Sequence, residues 1–263
     1  DIFPIVREYI RRFRPLSVGM PVIVIHFAND ALNHYFDGTR RRASFILSNK
    51  RRFFMKTDGI ILDIDGTLWD STPIVAKAWN EVIAQRKDVP VRLTAKQLTG
   101  LFGRTLEVIA DMIFPFLEKE DRYTLINACC DREHELLYEC DDDILYPGVA
   151  DTIRSLSAKV PLFIVSNCQS GYIELFLKKT GLGSFITDFE CAGNTGHPKG
   201  YNIRLIADRN HLEHPVYVGD IDGDRMASEE AGVPFCHASY GFGEVDHADY
   251  VIKNFSELKS IFE

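Results

Sequence analysis

Short apolar runs alternate with amphipathic segments along the chain from Met55 onward. Five of these runs have the length of strands: GIILDI, PLFIVSN, FITDFECA, PVYVGD and GVPFCHA. Strands that alternate with helical segments are typical of a parallel sheet with helices on both faces. We therefore predict an α/β fold whose core is a Rossmann-like parallel sheet, formed by residues 55–70 and 145–263.

One long helical stretch interrupts this alternation between about Ser71 and Leu145. Its first segment, STPIVAKAWNEVIAQR, repeats apolar positions on one helical face: Ile74, Val75, Ala78, Trp79, Val82 and Ile83. Ser71 or Thr72 is expected to cap this helix, with Pro73 in its first turn. Further helical segments follow in RTLEVIADMIFPFL and YTLINACCDREHELLYEC. We predict that residues 71–144 form an inserted all-helical cap over the strand ends.

Residues 1–54 differ in character from the rest of the chain. They contain 10 Lys and Arg against 4 Asp and Glu, whereas the whole chain has a net charge of −8. They show one strand-like run, VIVIHF, and no sustained helical or strand period. We expect this segment to contribute nothing to catalysis. Its origin stays open between upstream sequence included by a gene model, a leader added for expression, and a true basic extension.

The composition argues against several classes of protein. A net charge of −8 disfavours a general nucleic-acid binder, and no apolar run reaches the ~18 residues of a membrane span. The first residues lack the continuous apolar region of a secretory signal. The six cysteines form no C-x-x-C pair and the eight histidines no zinc-ligand spacing, so we expect reduced thiols and no zinc site. These features favour a cytoplasmic protein without nucleic-acid or membrane partners, and leave its oligomeric state unknown.

Acidic residues follow two of the predicted strands. Asp63 and Asp65 end the first run, in DIDGTLWDS, and Asp220 and Asp224 follow the fourth, in VGDIDGD. The carboxyl ends of parallel strands meet at one edge of a sheet, so we expect these acids to gather there with Lys199. Carboxylates that close together require a cation or a proton between them. Mg²⁺ fits, because it takes oxygen ligands from a few carboxylates and keeps waters for a substrate phosphate.

Four motifs, in order, resemble those of the haloacid dehalogenase superfamily. DIDGTLWDS is similar to its first motif, VSN to its second, Lys199 in HPKGYNI to its third, and GDIDGDRMASEEAG to its fourth. The helical insertion and the closing ASYGFGEVDHADYVIKNFSEL resemble the phosphoglycolate-phosphatase-like branch. The resemblance covers about residues 57–263 and implies a Mg²⁺-dependent phosphatase that acts on a small phosphorylated metabolite. Ile221 and Asp222 depart from that branch, which usually has Thr after the fourth-motif Asp.

The resemblance also implies a role for each motif residue. Asp63 would attack phosphorus and form an aspartyl-phosphate, while Asp65 would act first as general acid and then as base. The Asp63 carboxylate, the Asp65 main-chain oxygen and Asp220 would hold Mg²⁺, with Asp224 in support. The phosphoryl group and the rest of the substrate would be bound by Thr67, Ser166, Asn167, Lys199 and Arg104. Arg104 lies in TGLFGRT of the cap, where it would either meet a substrate anion on closure or stay in solvent.

Three alternatives use similar residues. A phosphomutase would keep the same site and transfer the phosphate to a second hydroxyl. A dehalogenase or phosphonate hydrolase is disfavoured, because Asp65 supplies the proton-transfer acid that a phosphatase needs. A non-enzymatic phospho-accepting signalling domain also combines acids, a lysine and a parallel sheet, but it leaves the helical insertion unexplained.

Overall fold

The computed structural model of the protein describes residues 57–262. Their strands form one parallel sheet of six, in the order β3-β2-β1-β4-β5-β6. The strands are β1 (Gly59–Leu62), β2 (Leu162–Ser166), β3 (Asp188–Cys191), β4 (Pro215–Gly219), β5 (Phe235–Ala238) and β6 (Tyr250–Ile252). Because β1 lies between β2 and β4, the carboxyl ends of these three strands are neighbours. The predicted α/β fold is confirmed.

Helices lie in four of the five connections between the described strands and after the last strand. Five of them lie between β1 and β2: α1 (Thr72–Ile83), α2 (Ala95–Thr99), α3 (Leu106–Ile113), α4 (Lys119–Glu139) and α5 (Val149–Ser157). The others are α6 (Tyr172–Thr180), α7 (Ala192–Thr195), α8 (Lys199–Arg209), α9 (Asp222–Ala231) and α10 (Leu258–Phe262). Single 3₁₀ turns lie at Gly183–Phe185 and Phe255–Glu257.

The central strand β1 is apolar at every position because both faces of the sheet are covered. Ile60 and Leu62 point into a core shared with α5 and α6, which contribute Ile153 and Phe176. Ile61 points to the opposite face, into a core shared with α8 and α9. Successive side chains of a strand alternate between faces, so a strand buried on both faces has no polar alternation.

Helices α1 to α4 have a hydrophobic core of their own. Trp79 and Ile83 of α1 pack there with Leu98 of α2, Ile109 of α3 and Cys129 of α4. This core contains no strand residue. We propose that the four helices form the cap, with the boundaries drawn from the sequence.

The start of α1 corrects one expectation. Pro73 does lie in the first turn, but Ser71 makes no capping bond and Thr72 is already helical. The Asp70 carboxylate caps instead, since its Oδ1 accepts from Thr72 N at 3.0 Å and from Thr72 Oγ1 at 2.6 Å. The Ser71 hydroxyl is used elsewhere, in a hydrogen bond to Asp65.

The cysteines and the possible membrane spans can be described for residues 57–262. All six cysteines are free thiols, with Cys140 and Cys168 partly exposed. No helix within residues 57–262 is long and apolar enough to cross a membrane. The expectation for residues 1–54 lies outside the described residues.

Candidate active site

Three carboxylates gather at the carboxyl edge of the sheet. Asp63 directly follows β1 and Asp220 directly follows β4, while Asp224 lies in the first turn of α9. Carboxylate oxygens of these buried residues lie within 4.8 Å of one another. The structure therefore brings together three of the acids that the sequence analysis assigned to one site.

Lys199, the first residue of α8, joins two of these acids. Its Nζ lies 2.9 Å from Asp63 Oδ2 and 2.5 Å from Asp224 Oδ1, and its side chain is 2% exposed. Burial alone would lower the pKa of Lys199, but the charges of Asp224 and Asp63 outweigh burial and raise it. The lysine is therefore charged inside the cluster.

Asp224 is bound on both of its oxygens. Oδ1 pairs with Lys199, and Oδ2 accepts from the backbone N–H groups of Asp220 and Ile221 at 2.9 and 3.1 Å. These two backbone bonds fix the turn that leads from β4 into α9. Asp224 thereby positions Asp220 as well as the lysine.

Asp63 and Asp220 retain capacity for a cation. Asp63 Oδ1 is buried and has no hydrogen-bond partner within the described residues. Asp220 accepts from Phe242 N at 2.6 Å and from Thr67 Oγ1 at 3.5 Å. Burial raises the pKa of Asp63 to about 7, opposed by Lys199, and burial raises the pKa of Asp220 to about 8. Because three buried carboxylates share one lysine, a divalent cation with oxygen ligands fits this cluster.

The turn after β1 requires glycine at position 66. Gly66 has a φ of 80°, in the left-handed region that favours glycine. A Cβ at this position would lie 2.1 Å from Asp220 Oδ2. The Gly-Thr turn of the first motif therefore lets the backbone approach the Asp220 carboxylate.

Asp65 lies in a different environment from Asp63. Its Oδ1 accepts hydrogen bonds from Trp69 Nε1 at 2.9 Å, Ser71 Oγ at 2.6 Å and Tyr172 OH at 2.9 Å. Burial raises the pKa of Asp65 to about 6, although the three donors act to lower it. The two acids of the first motif therefore have different partners: Asp63 pairs with the Lys199 ammonium, and Asp65 accepts from three neutral donors.

A cleft opens between this edge of the sheet and the inserted helices. Asp63 and Asp65 line it on the sheet side. On the side of the inserted helices it is lined by one acid, Glu133, and by the apolar side chains Trp79, Phe102, Leu106 and Ile109. A small molecule in this cleft would therefore meet the acids of the first motif at one end and a largely apolar wall at the other.

The second motif also reaches the cleft. Ser166 ends β2, Asn167 follows it, and both line the cleft. Asn167 Nδ2 donates to the main-chain oxygen of Gly103 at 2.8 Å, which joins the sheet to the insertion. Asn167 Oδ1 is buried and has no partner within the described residues. Thr67 is buried beside Asp220 and lies outside the lining of the cleft.

Arg104 is not brought to the other predicted residues. It is exposed, and its Nη1 donates to the main-chain oxygens of Gly100 at 2.6 Å and Leu101 at 3.3 Å. It does not belong to the lining of the cleft, whereas the preceding Gly103 does. Its role in substrate binding stays a prediction.

Ile221 and Asp222, where the fourth motif departs from the phosphoglycolate-phosphatase-like pattern, have different surroundings. A Cβ on Gly103 would lie 2.3 Å from Ile221 Cδ1, so Ile221 packs directly under the inserted segment. Asp222 pairs with Arg225 through Oδ1 at 2.5 Å and is half-exposed. Neither side chain belongs to the cluster of Asp63, Asp220 and Asp224.

A further buried acid lies in the insertion and was not predicted from the sequence. Glu133 of α4 is 4% exposed. Its Oε2 accepts from Trp79 Nε1 at 2.7 Å and its Oε1 accepts from Gln169 Nε2 at 3.1 Å. Burial raises the pKa of Glu133 to about 8. One signal was present: Glu133 lies midway between two buried residues four positions away on either side, Cys129 and Leu137.

The parallel sheet, the inserted helices and the acids at the sheet edge define an α/β enzyme with a carboxylate-based site. The sequence model of haloacid dehalogenase-like hydrolases matches residues 60–238, which is more than half of the chain. The chain therefore belongs to the haloacid dehalogenase-like hydrolase family. The family predicted from the four motifs is confirmed.

Curated relatives and solved structures agree with this family. The phosphoglycolate phosphatase of Yersinia pseudotuberculosis is 25% identical over 218 residues, or 78% of this chain and 93% of that protein. The phosphoglycolate phosphatase of Agrobacterium fabrum is 26% identical over 215 residues, or 77% and 91%. The crystal structure of a predicted phosphoglycolate phosphatase from Haemophilus somnus has a TM-score of 0.70 at 20% identity, and the match covers 80% of this chain and 100% of that one. At that identity the structural match establishes the fold alone.

Proposed function

We propose that the protein is a Mg²⁺-dependent phosphatase that hydrolyses a small phosphorylated metabolite through an aspartyl-phosphate. The observation that carries the proposal is the contrast between Asp63, paired with Lys199, and Asp65, held by three neutral donors. Phosphatase chemistry of this kind needs one carboxylate to attack and another to move a proton. The names of the curated relatives support the phosphatase assignment.

Asp63 supplies the nucleophile. Its Oδ2 is held by Lys199, while its buried Oδ1 has no partner within the described residues. Attack by a carboxylate oxygen forms a bond to phosphorus and breaks the bond between phosphorus and the leaving oxygen. Water then attacks the phosphorus of the aspartyl-phosphate, which releases phosphate and restores the carboxylate.

Asp65 moves the protons of both steps. Trp69, Ser71 and Tyr172 hold one oxygen of its carboxyl group, which leaves the other oxygen for transfer. As an acid it gives a proton to the leaving oxygen, and as a base it takes one from the attacking water. Its raised pKa, about 6, places the group near the operating pH that both roles require.

Asp63, Asp220 and the Asp65 main-chain oxygen are the groups that would hold Mg²⁺. When bound, the ion would neutralise the carboxylates and the charge of the phosphoryl oxygens. Asp224 supports the site through Lys199 and the backbone of Asp220. Ser166 and the Asn167 amide bind and orient the phosphoryl group, and Lys199 balances its charge. A cytoplasmic location is part of the proposal and is supported by the six free cysteines.

The proposal is tested by phosphate release from a panel of small phosphomonoesters, with Mg²⁺ and with excess chelator. We expect Mg²⁺-dependent release by the wild-type chain and none by Asp63→Asn. Transfer of the phosphate to a second hydroxyl of the substrate would identify a phosphomutase instead. Brief labelling of the protein without turnover would identify a phospho-accepting signalling domain.

A further inference from the structure

We infer that Glu133 selects the substrate: the leaving group carries a hydrogen-bond donor, a hydroxyl or an ammonium, that binds this carboxyl, and it carries no carboxylate. The inference rests on the proposed phosphatase function and adds the substrate class. It concerns the end of the cleft that lies away from the acid cluster, where no residue of the four motifs lies.

Glu133 is held in the wall of the same cleft that Asp63 and Asp65 line. A substrate whose phosphorus lies at Asp63 would extend its leaving group past Asp65 and into the part of the cleft formed by the inserted helices. There the cleft is lined by apolar side chains, among them Leu106 and Ile109, and by the Glu133 carboxyl. On that wall, the Glu133 carboxyl is therefore the group with which a leaving group could form a polar contact.

The orientation of the Glu133 carboxyl is fixed by two donors on two elements. Trp79 Nε1 of α1 donates to Oε2 at 2.7 Å, and Gln169 Nε2, in the loop after β2, donates to Oε1 at 3.1 Å. Each oxygen of an ionised carboxylate has lone pairs for one more hydrogen bond, and in the neutral acid the carbonyl oxygen keeps that capacity. Burial of a carboxyl without an ion pair is costly unless its oxygens accept hydrogen bonds. A hydrogen-bond donor on the substrate would supply one more such bond.

The charge of the cleft argues against a carboxylate on the leaving group. Among the described residues that line it, Asp63, Asp65 and Glu133 are acidic, and none is Lys, Arg or His. A substrate carboxylate beside an ionised Glu133 would meet a like charge. Beside a neutral Glu133 it could accept one hydrogen bond, but its charge would be buried with no cation in the wall. Arg104 is directed to the carbonyls of Gly100 and Leu101 instead. Phosphoglycolate, after which the curated relatives are named, has such a carboxylate.

Four phosphomonoesters with the same two-carbon skeleton test the inference: 2-hydroxyethyl phosphate, phosphoethanolamine, ethyl phosphate and 2-phosphoglycolate. We expect kcat/KM for the better of the two donor-bearing compounds to exceed that for 2-phosphoglycolate by at least about tenfold, since one good hydrogen bond is worth about that factor. The hydroxyl and ammonium compounds identify which donor the site prefers.

The Glu133→Gln variant separates selection from a general defect. Its ratio of kcat/KM for the preferred donor compound to that for ethyl phosphate should fall about tenfold, and a ratio is insensitive to the amount of folded enzyme. Glu135→Gln is the matched control, because Glu135 lies on the same helix with a side chain that is 61% exposed. It should leave the ratio at the wild-type value.

Three outcomes overturn the inference. The first is a wild-type preference for 2-phosphoglycolate, in particular one that Arg104→Gln abolishes. The second is an unchanged ratio in Glu133→Gln. The third is hydrolysis of p-nitrophenyl phosphate with none of the four compounds accepted. Failure to hydrolyse p-nitrophenyl phosphate or any phosphomonoester of the panel would instead remove the proposed function itself.

Discussion

Lys199 Nζ lies 2.9 Å from Asp63 Oδ2, and both side chains are almost completely buried. The same ammonium lies 2.5 Å from Asp224 Oδ1, so one cation pairs with two acids at the centre of the site. Desolvation of buried charges is costly, and the pairing offsets that cost only while each partner is present. The lysine is therefore needed for the stability of the fold as well as for any chemistry at Asp63.

The first prediction is that Lys199→Met destabilises the protein strongly. Removal of the ammonium leaves Asp63 and Asp224 buried without a partner cation, a change that typically costs about 3–5 kcal/mol. Urea unfolding in the presence of chelator measures the loss. Lys253→Met is the control, because Lys253 is exposed and its side chain is in no ion pair of the described residues. A loss below about 1 kcal/mol in Lys199→Met would show that the pair contributes little.

The second prediction concerns the covalent step at Asp63. Rapid quenching during turnover of a ³²P-labelled substrate should trap label on the wild-type protein, and hydroxylamine should release it as expected of an acyl phosphate. Asp63→Asn removes the anionic attacker but keeps the shape, so it should fold, acquire no label and turn over at background. Label on the Asn variant would assign the nucleophile to another residue.

The third prediction is that the defect of Asp65→Asn depends on the leaving group. A general acid matters most when the leaving oxygen is strongly basic, as in alkyl phosphates, and least for p-nitrophenolate. We expect the variant to lose at least about tenfold more activity on ethyl phosphate than on p-nitrophenyl phosphate. Brønsted plots of kcat/KM for both proteins measure this difference. Parallel plots would mean that Asp65 does not protonate the leaving group.

The fourth prediction uses thermal stability to detect the cation. If Mg²⁺ binds the acid cluster, a concentration of 100 times Kd should stabilise the fold by about 2.7 kcal/mol and raise Tm by several degrees. Asp220→Asn should reduce this rise, whereas Asp222→Asn, whose carboxylate pairs with Arg225 at the surface, should retain it. An equal Mg²⁺-induced rise in both variants would place the ion elsewhere.

Ca²⁺ should restore little activity after chelation, because its larger and looser shell misplaces the attacking oxygen.

The acids whose position in the fold could be predicted from the sequence lie at the ends of strands. Asp63 and Asp220 follow apolar runs directly, so their position depends only on the local pattern and on the rule that parallel strands end at one edge. The strand β6 was missed because it has only three residues and lies at the edge of the sheet, with Val251 54% exposed. Such a short run provides too few positions for a period.

Contacts between distant segments could not be predicted from local pattern. The bond from Gln169 to Glu133 joins residues 36 positions apart, and that from Tyr172 to Asp65 joins residues 107 apart. The first depends on how the inserted helices pack on the loop after β2, and the second on how α6 packs beside the turn after β1. No single segment specifies either contact. Ser71 shows the same limit, because a hydroxyl suited to a helix cap is instead drawn to the nearby Asp65 carboxylate.

The last prediction follows from the burial of Glu133. Its pKa is raised by burial from an ordinary value of 4.5 to about 8 in the folded protein. Between these two values the unfolded chain has released the proton that the folded chain retains, so the free energy of unfolding falls as pH rises through this window.

Glu133→Gln has no such proton to lose. Its Tm should therefore fall less than that of the wild type between pH 5 and pH 8, and the difference should reach several degrees, since one pKa unit is about 1.4 kcal/mol. Melting curves in excess chelator measure this difference, since the two proteins share the titration of the acids that do not interact with Glu133. Glu135→Gln, at an exposed position of the same helix, should follow the wild-type curve. Parallel curves for wild type and Glu133→Gln would mean that Glu133 is ionised at neutral pH, and its partner for a substrate would then be an ammonium rather than a hydroxyl.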